Sequence, residues 1–221
     1  MKVFFAIFLA ACATAYAEPL AALLSRMDRA AADFHSLSAK MKRIDYTAVI
    51  DDKSESSGEL RLLRAKNKAV ALVKFDAPNE RVIHISGNHV EVFYPKANTE
   101  EIYDTSKYTP KMDQFLLLGF GTTAAELNST YSLRALGTES VAGMMCTRLE
   151  LTPKAGEIKK LITKIELWIP EGQSNPIQEK ITQPSNNYSL ATYSEMKFAT
   201  LPDSALELQM PSGVKKIYPQ K

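Results

Sequence analysis

The sequence predicts one mainly β, antiparallel domain with helices packed against it, exported from the cytoplasm. Three observations predict it. Residues Met1–Ala17 have the layout of a secretion signal. Apolar periodicity changes from 3.6 to 2 near Ser38. From there to the C-terminus, alternating apolar runs of strand length are separated by turns rich in Pro, Gly, Asn and Ser.

The leader comes first. Met1-Lys2 supplies a positive charge, Val3 to Ala11 is almost purely apolar, and Ala15-Tyr16-Ala17 offers small residues where a signal peptidase reads. The apolar run is shorter than the about 20 residues a membrane span needs. Cleavage after Ala17 is expected, leaving residues 18–221 as a single domain. Leu9-Ala10-Ala11-Cys12 also resembles a bacterial lipobox, so the alternative is a membrane-anchored lipoprotein held through Cys12. With the leader removed, Cys146 has no partner for an internal disulfide. The net charge is +2, acids and bases alternate, and no basic stripe marks a nucleic-acid surface.

The exported chain opens on a helix. Leu20, Leu23, Leu24, Met27, Ala31 and Phe34 share one face, and Pro19 suits the first turn, where its missing N–H costs nothing. Ile44, Tyr46, Ala48 and Ile50 then alternate as a strand. Asp51 to Gly58 is small and polar and reads as a hairpin loop before a strand at Leu60 and Leu62. Further strands are expected at Ala69–Phe75, Arg81–Ile85, Val90–Tyr94 and around Ile102. Ser86-Gly87-Asn88 forms a tight turn with glycine where positive φ is cheap. Thr109-Pro110 starts a very apolar helical segment, Met112 to Phe120, and Thr122 or Thr123 caps a short helix to Leu127. Strands resume at Tyr131–Leu136, Gly143–Thr152, Leu161–Ile169, Pro176–Thr182 and Tyr188–Phe198, with a last short one near Leu206 or Val214. The order suggests an antiparallel meander.

Catalytic signatures are missing from the sequence. It contains no Gly-x-Ser-x-Gly, Walker loop or His-Glu-x-x-His. His84 and His89 straddle a predicted turn, but two histidines without a third ligand make a poor zinc site. No enzyme, cofactor or metal is expected. What stands out is hydrophobic surface. The segment from Met112 through Phe115, Leu116 and Leu118 to Phe120 is apolar on nearly all sides, more than a one-sided plug requires. It reads either as ordinary core or as a lid over a cavity. Gly58, Leu60, Leu62 and Arg64 share one strand face by alternation, which places an arginine at the end of an apolar row. Arg64 is either a strand-end residue that has reached solvent or a donor to helix-end carbonyls or a ligand head group at the cavity mouth.

Together these pieces resemble the LolA family of periplasmic outer-membrane lipoprotein carriers. The likeness spans nearly all of the exported chain. It runs through the helix ending at Phe34-His35-Ser36-Leu37, a long first strand, Gly58-Glu59-Leu60 leading to Arg64, Val73-Lys74-Phe75-Asp76-Ala77-Pro78, and the hairpin Ser86-Gly87-Asn88-His89-Val90-Glu91-Val92-Phe93-Tyr94-Pro95. The sequence departs from the family where Ala65 replaces a proline, Val92 or Phe93 replaces a tryptophan, and Ser86 replaces an aspartate. The resemblance implies an unclosed antiparallel barrel of about 11 strands under a helical lid. Its cavity and lid residues would be Arg64, Leu60, Leu62, Met112, Phe115, Leu116, Leu118, Phe120 and Phe93. It further implies a monomeric periplasmic carrier that moves acylated lipoproteins from an inner-membrane release complex to an outer-membrane acceptor, with Arg64 holding the empty lid shut. The alternative within the same fold is a lipid-binding or lipid-sensing envelope module.

Overall fold

The computed structural model describes residues 18–65, 68–106 and 115–219. The leader, including Cys12, and Met112 lie outside these residues. A helix α1 (Leu20–Asp33) precedes six strands, β1 (Ser36–Thr47), β2 (Asp52–Ala65), β3 (Lys68–Phe75), β4 (Arg81–Ser86), β5 (His89–Tyr94) and β6 (Thr99–Asp104). A second helix α2 (Ala124–Thr130) leads into β7 (Tyr131–Val141) and β8 (Met144–Pro153). A one-turn helix α3 (Gly156–Lys159) is followed by β9 (Lys164–Pro170), β10 (Gln178–Thr182), β11 (Tyr188–Lys197) and the short β12 (Lys215–Ile217).

The twelve strands of the described residues belong to one sheet, ordered β12-β6-β5-β4-β3-β2-β1-β11-β10-β9-β8-β7. Its edges, β12 and β7, do not pair with each other, so the barrel is unclosed. The pairs are antiparallel except β12 on β6, which is parallel. The unclosed antiparallel sheet expected from the sequence is the one observed, with twelve strands among the described residues where about 11 were expected.

The differences are local. Asp51–Gly58 is not a loop. β1 and β2 pair without interruption from Thr47↔Asp52 to Ser36↔Leu63, and the turn is the 3-10 segment Ala48–Ile50 with Asp51 at φ 48°. Polar residues fill that strand because this end of the sheet projects beyond the core. Ile50, expected in a strand, is 68% exposed at the tip. Leu161 lies in the connection after α3, outside β9. Leu206 sits in a 3-10 turn, and the last strand falls just after Val214. At Gly58 the backbones of β2 and β3 approach so closely that a Cβ would stand 2.1 Å from the Lys74 carbonyl oxygen. Only glycine allows that approach.

The helix forms as its stripe predicts. Leu23, Met27 and Ala31 are buried, and the Pro19 carbonyl accepts from the Ala22 and Leu23 amides at 2.9 and 3.2 Å. α2 carries a capping box, in which the Thr123 side chain and Glu126 satisfy each other's backbone amides. Asp28 of α1 accepts from the Ala124 amide at 2.5 Å, which ties the two helices together. Because β6 lies near one edge of the sheet and β7 is the other edge, their connection must cross from edge to edge. Residues 115–121 of that connection fill the inner face as a plug.

Two apolar clusters make the inner core. One joins Phe34, Leu37, Leu60, Leu62, Leu117, Phe120 and Tyr193. The other joins Leu23, Met27, Leu118, Leu127, Leu149, Leu167 and Ile169. The plug contributes to both, so it couples the β1–β3 half of the trough to the β8–β9 half. On the outer face, the C-terminal segment lies across β2 and β3, burying Leu206, with Arg61 donating to the Ala205 carbonyl at 2.9 Å.

Candidate functional site

Arg64 sits where three pieces of chain converge. It stands near the end of β2 on the inner face, and its backbone amide donates to the His35 carbonyl at 2.8 Å. Its guanidinium donates to the Ala31 carbonyl, in the last turn of α1, at 2.8 Å. That carbonyl lies at the negative end of the helix, where a cation is favoured. The guanidinium also lies over the Phe34 ring, 5.6 Å from its centre. On its other side is the end of the plug. A Cβ at Gly121 would stand 2.6 Å from an Arg64 nitrogen and 2.9 Å from the Phe34 ring. Arg64 is therefore a joint between β2, α1 and the plug. Of the two readings open at the sequence, the donor to helix-end carbonyls is the geometry seen.

The remaining residues named from the sequence divide into three groups. Leu60, Leu62 and Phe120 are buried in the first inner cluster, and Leu118 is buried in the second. Leu116 and Phe115 are only partly buried, each packed on one of the two clusters. Phe93 lies elsewhere. The ladder places Val92 opposite Ile83, Ile83 opposite Val73 and Val73 opposite Leu60, so Val92 shares the inner row. Phe93 therefore faces outward, beside Glu100, and is 5% exposed. One-residue alternation decides the face, and the hairpin motif alone did not give the phase.

Sequence reading missed a polar patch on the inner face. The register sets Arg43, Ala191, Glu179 and Leu167 in one row across β1, β11, β10 and β9. Glu179 is partly buried, and its carboxylate accepts from the Tyr193 hydroxyl at 3.2 Å. Burial pushes the Glu179 carboxyl up to about 7, against the opposing influence of that hydrogen bond and of Arg43. The Tyr131 phenol is pushed up to about 12, by burial first and then by the Glu179 charge. Tyr193 is raised by burial and by the same carboxylate. Arg43 is committed to Asp45, with its guanidinium nitrogens 2.8 to 2.9 Å from the carboxylate oxygens. A signal was present in the sequence, since alternation puts Glu179 on the same strand face as Ile181, which packs on the second inner cluster.

The inner face is thus apolar and packed by a plug whose Leu117, Leu118 and Phe120 are buried and whose Phe115 and Leu116 are partly buried, with an arginine joint and a polar patch beside it. Among the described residues, no group of three or more His, Cys, Asp and Glu side chains is placed to hold a metal ion. His84 pairs instead with Glu91 across the β4–β5 hairpin, at 2.6 Å.

Neither a family model nor a curated protein sequence matches the chain. Solved structures do match in fold. An uncharacterized conserved protein from Thermus thermophilus superposes with a TM-score of 0.53 at 12% identity, covering 90% of this chain and 98% of that one. MucB superposes with a TM-score of 0.50 at 12% identity over 86% of this chain, which spans 62% of the MucB chain. A LolA superfamily protein from Nitrosomonas europaea gives 0.40 at 16% identity, covering 85% and 97%. At these identities the likeness to the first two is one of fold.

Proposed function

We propose that the protein is a periplasmic carrier that shelters the acyl chains of lipoproteins in its trough and moves them from the inner to the outer membrane. The observation that carries this reading is the Arg64 joint. An apolar sheet face is packed by α1 and the plug, and Arg64 joins β2 to α1 by a charge-assisted hydrogen bond to Ala31, beside the end of the plug at Gly121. A cover held by so few polar contacts can be displaced by a ligand that supplies apolar contacts of its own.

The energetics suit such a task. Each acyl CH₂ costs about 0.8 kcal/mol in water, so a chain of about sixteen carbons costs about 12 kcal/mol. A shelter must repay most of that and still let go. A charge-assisted hydrogen bond contributes about 1.5–3 kcal/mol, enough to set the balance between the closed and filled forms.

The test is the intact mass, under non-denaturing conditions, of the protein purified from the bacterial envelope. A one-to-one complex with an acylated polypeptide is expected. Bound species of lipid size only, even when lipoproteins are supplied, would replace the carrier with a lipid-binding or lipid-sensing module of the same fold.

A further inference from the structure

The inner polar patch is more than a carrier of bare acyl chains requires. A trough that only shelters hydrocarbon has no use for a carboxylate on its lining, since burying one without a counter-charge is costly. Glu179 nevertheless stands on the inner face between the two apolar clusters, with Leu167 of one beside it in its row. Among the described residues its hydrogen-bond partner is the Tyr193 hydroxyl, which is neutral. The cation in the same row, Arg43, is separated from it by Ala191 and already engaged by Asp45 through both carboxylate oxygens. Tyr131 lies near enough to feel the Glu179 charge, and the Tyr193 ring meets Phe120 of the plug edge-on at 5.5 Å.

A carboxylate bonded to a neutral hydroxyl, with the Arg43 of its row engaged by Asp45, on an apolar sheet face beside aromatic side chains, is complementary to an ammonium group attached to acyl chains. The carboxylate supplies the counter-charge and the aromatic rings tolerate a cation at their faces. We infer that Glu179, with Tyr193 and Tyr131, forms a recognition site for the primary ammonium group of an acylated ligand whose chains lie in the trough. The inference rests on the carrier reading and adds the chemistry of the polar end of the cargo. Two sources carry that chemistry, an ethanolamine phospholipid head group and the free amino terminus of an acylated peptide.

Binding to the purified protein should be compared for two pairs of probes, by displacement of an environment-sensitive fluorescent fatty acid. One pair is lysophosphatidylethanolamine and its N-acetyl derivative. The other is a diacylglyceryl-cysteinyl peptide with a free or an acetylated amino terminus. The free amine should bind about tenfold tighter in at least one pair, equivalent to about 1.4 kcal/mol. Preference in the first pair identifies the head group as sufficient; preference confined to the second identifies the peptide amine. Glu179→Gln keeps the size and the acceptor for Tyr193, and should abolish the preference while leaving the acetylated probes unchanged. Equal affinity of free and blocked amines for the unmodified protein would overturn the site and leave the carrier reading standing. A preference that survives in Glu179→Gln would likewise overturn it. Failure of every acylated probe to bind would overturn the carrier reading and the site with it.

Discussion

Arg64 and Glu179 are two charges on the inner face whose expected effects are opposite. Arg64 ties β2 to α1 through its hydrogen bond to Ala31, and under the proposed carrier cycle that bond favours the closed arrangement. Arg64→Leu removes that bond and adds apolar surface. The variant is expected to hold a fluorescent fatty acid about tenfold more tightly and to release it to acceptor membranes more slowly, as followed by fluorescence transfer. Release at the unmodified rate would remove the joint from the cycle. Glu179 costs stability when ionised. Its folded carboxyl titrates near 7, above the ordinary 4.5, so the folded state is favoured most below pH 4.5 and loses that advantage as pH rises toward 7. Glu179→Gln should therefore melt above the unmodified protein at pH 8 and with it at pH 4. The gap at pH 8 is on the order of 2 kcal/mol, less than the full shift implies because the carboxyl is only partly buried. Thermal unfolding at the two pH values decides it, and a gap of the same size at pH 4 would show that charge is not its cause.

Among the elements, the plug is the piece whose position matters. It contributes Leu117 and Phe120 to one cluster and Leu118 to the other, and it ends at Gly121 against Arg64 and Phe34. Gly119, at φ 80°, sits 2.7 Å from Pro176 by the position of a notional Cβ, so the plug also abuts the β9–β10 connection. A methyl group at Gly121 meets the end of a flexible arginine and the edge of a ring, both of which can shift. Gly121→Ala should thus keep the fold, with a circular dichroism spectrum unchanged, while displacing the guanidinium. Amide exchange in residues 115–121 and in the last turn of α1 should rise together. Faster exchange in neither segment would mean that the joint tolerates the methyl group. α2 fixes the far end of the crossing, through its Thr123–Glu126 capping box and the Asp28 contact to α1.

For the whole molecule, the unclosed sheet has two edges and two faces to manage. The C-terminal segment handles one of each. It covers the outer face over β2 and β3 and then adds β12 to the β6 edge. That cover explains why Phe93 and Glu100, both outward-facing, are buried. Glu100 is fully buried and pairs with Lys216 of β12 at 3.1 Å. Removing the lysine leaves a buried carboxylate without its cation, which is worse than removing both charges. Lys216→Met should lower the melting temperature and raise amide exchange at the β6 edge. Adding Glu100→Gln should restore most of the loss. A double variant no better than the single one would show that the pair does not hold the strap in place.

Much of the architecture was legible before any coordinates. α1 follows from a stripe at helical spacing, the β4–β5 hairpin from Gly87, which takes φ 57°, and the α2 cap from Thr123. These features depend on residues close together in the chain, and local preferences suffice to encode them. Arg64 was also legible, since alternation along β2 puts it at the end of an apolar row. The hairpin at Ala48–Asp51 was not, because polar residues form strand and loop alike when one end of a sheet projects into solvent. Nor was the outward face of Phe93, whose phase is fixed by pairing with β4 and β6. Tertiary structure alone decided that Glu179, Arg43 and Tyr193 lie together, that the β6–β7 connection crosses the trough, and that the C-terminus straps the outer face. Each depends on which strands become neighbours, and strand order is set by burial across the whole sheet.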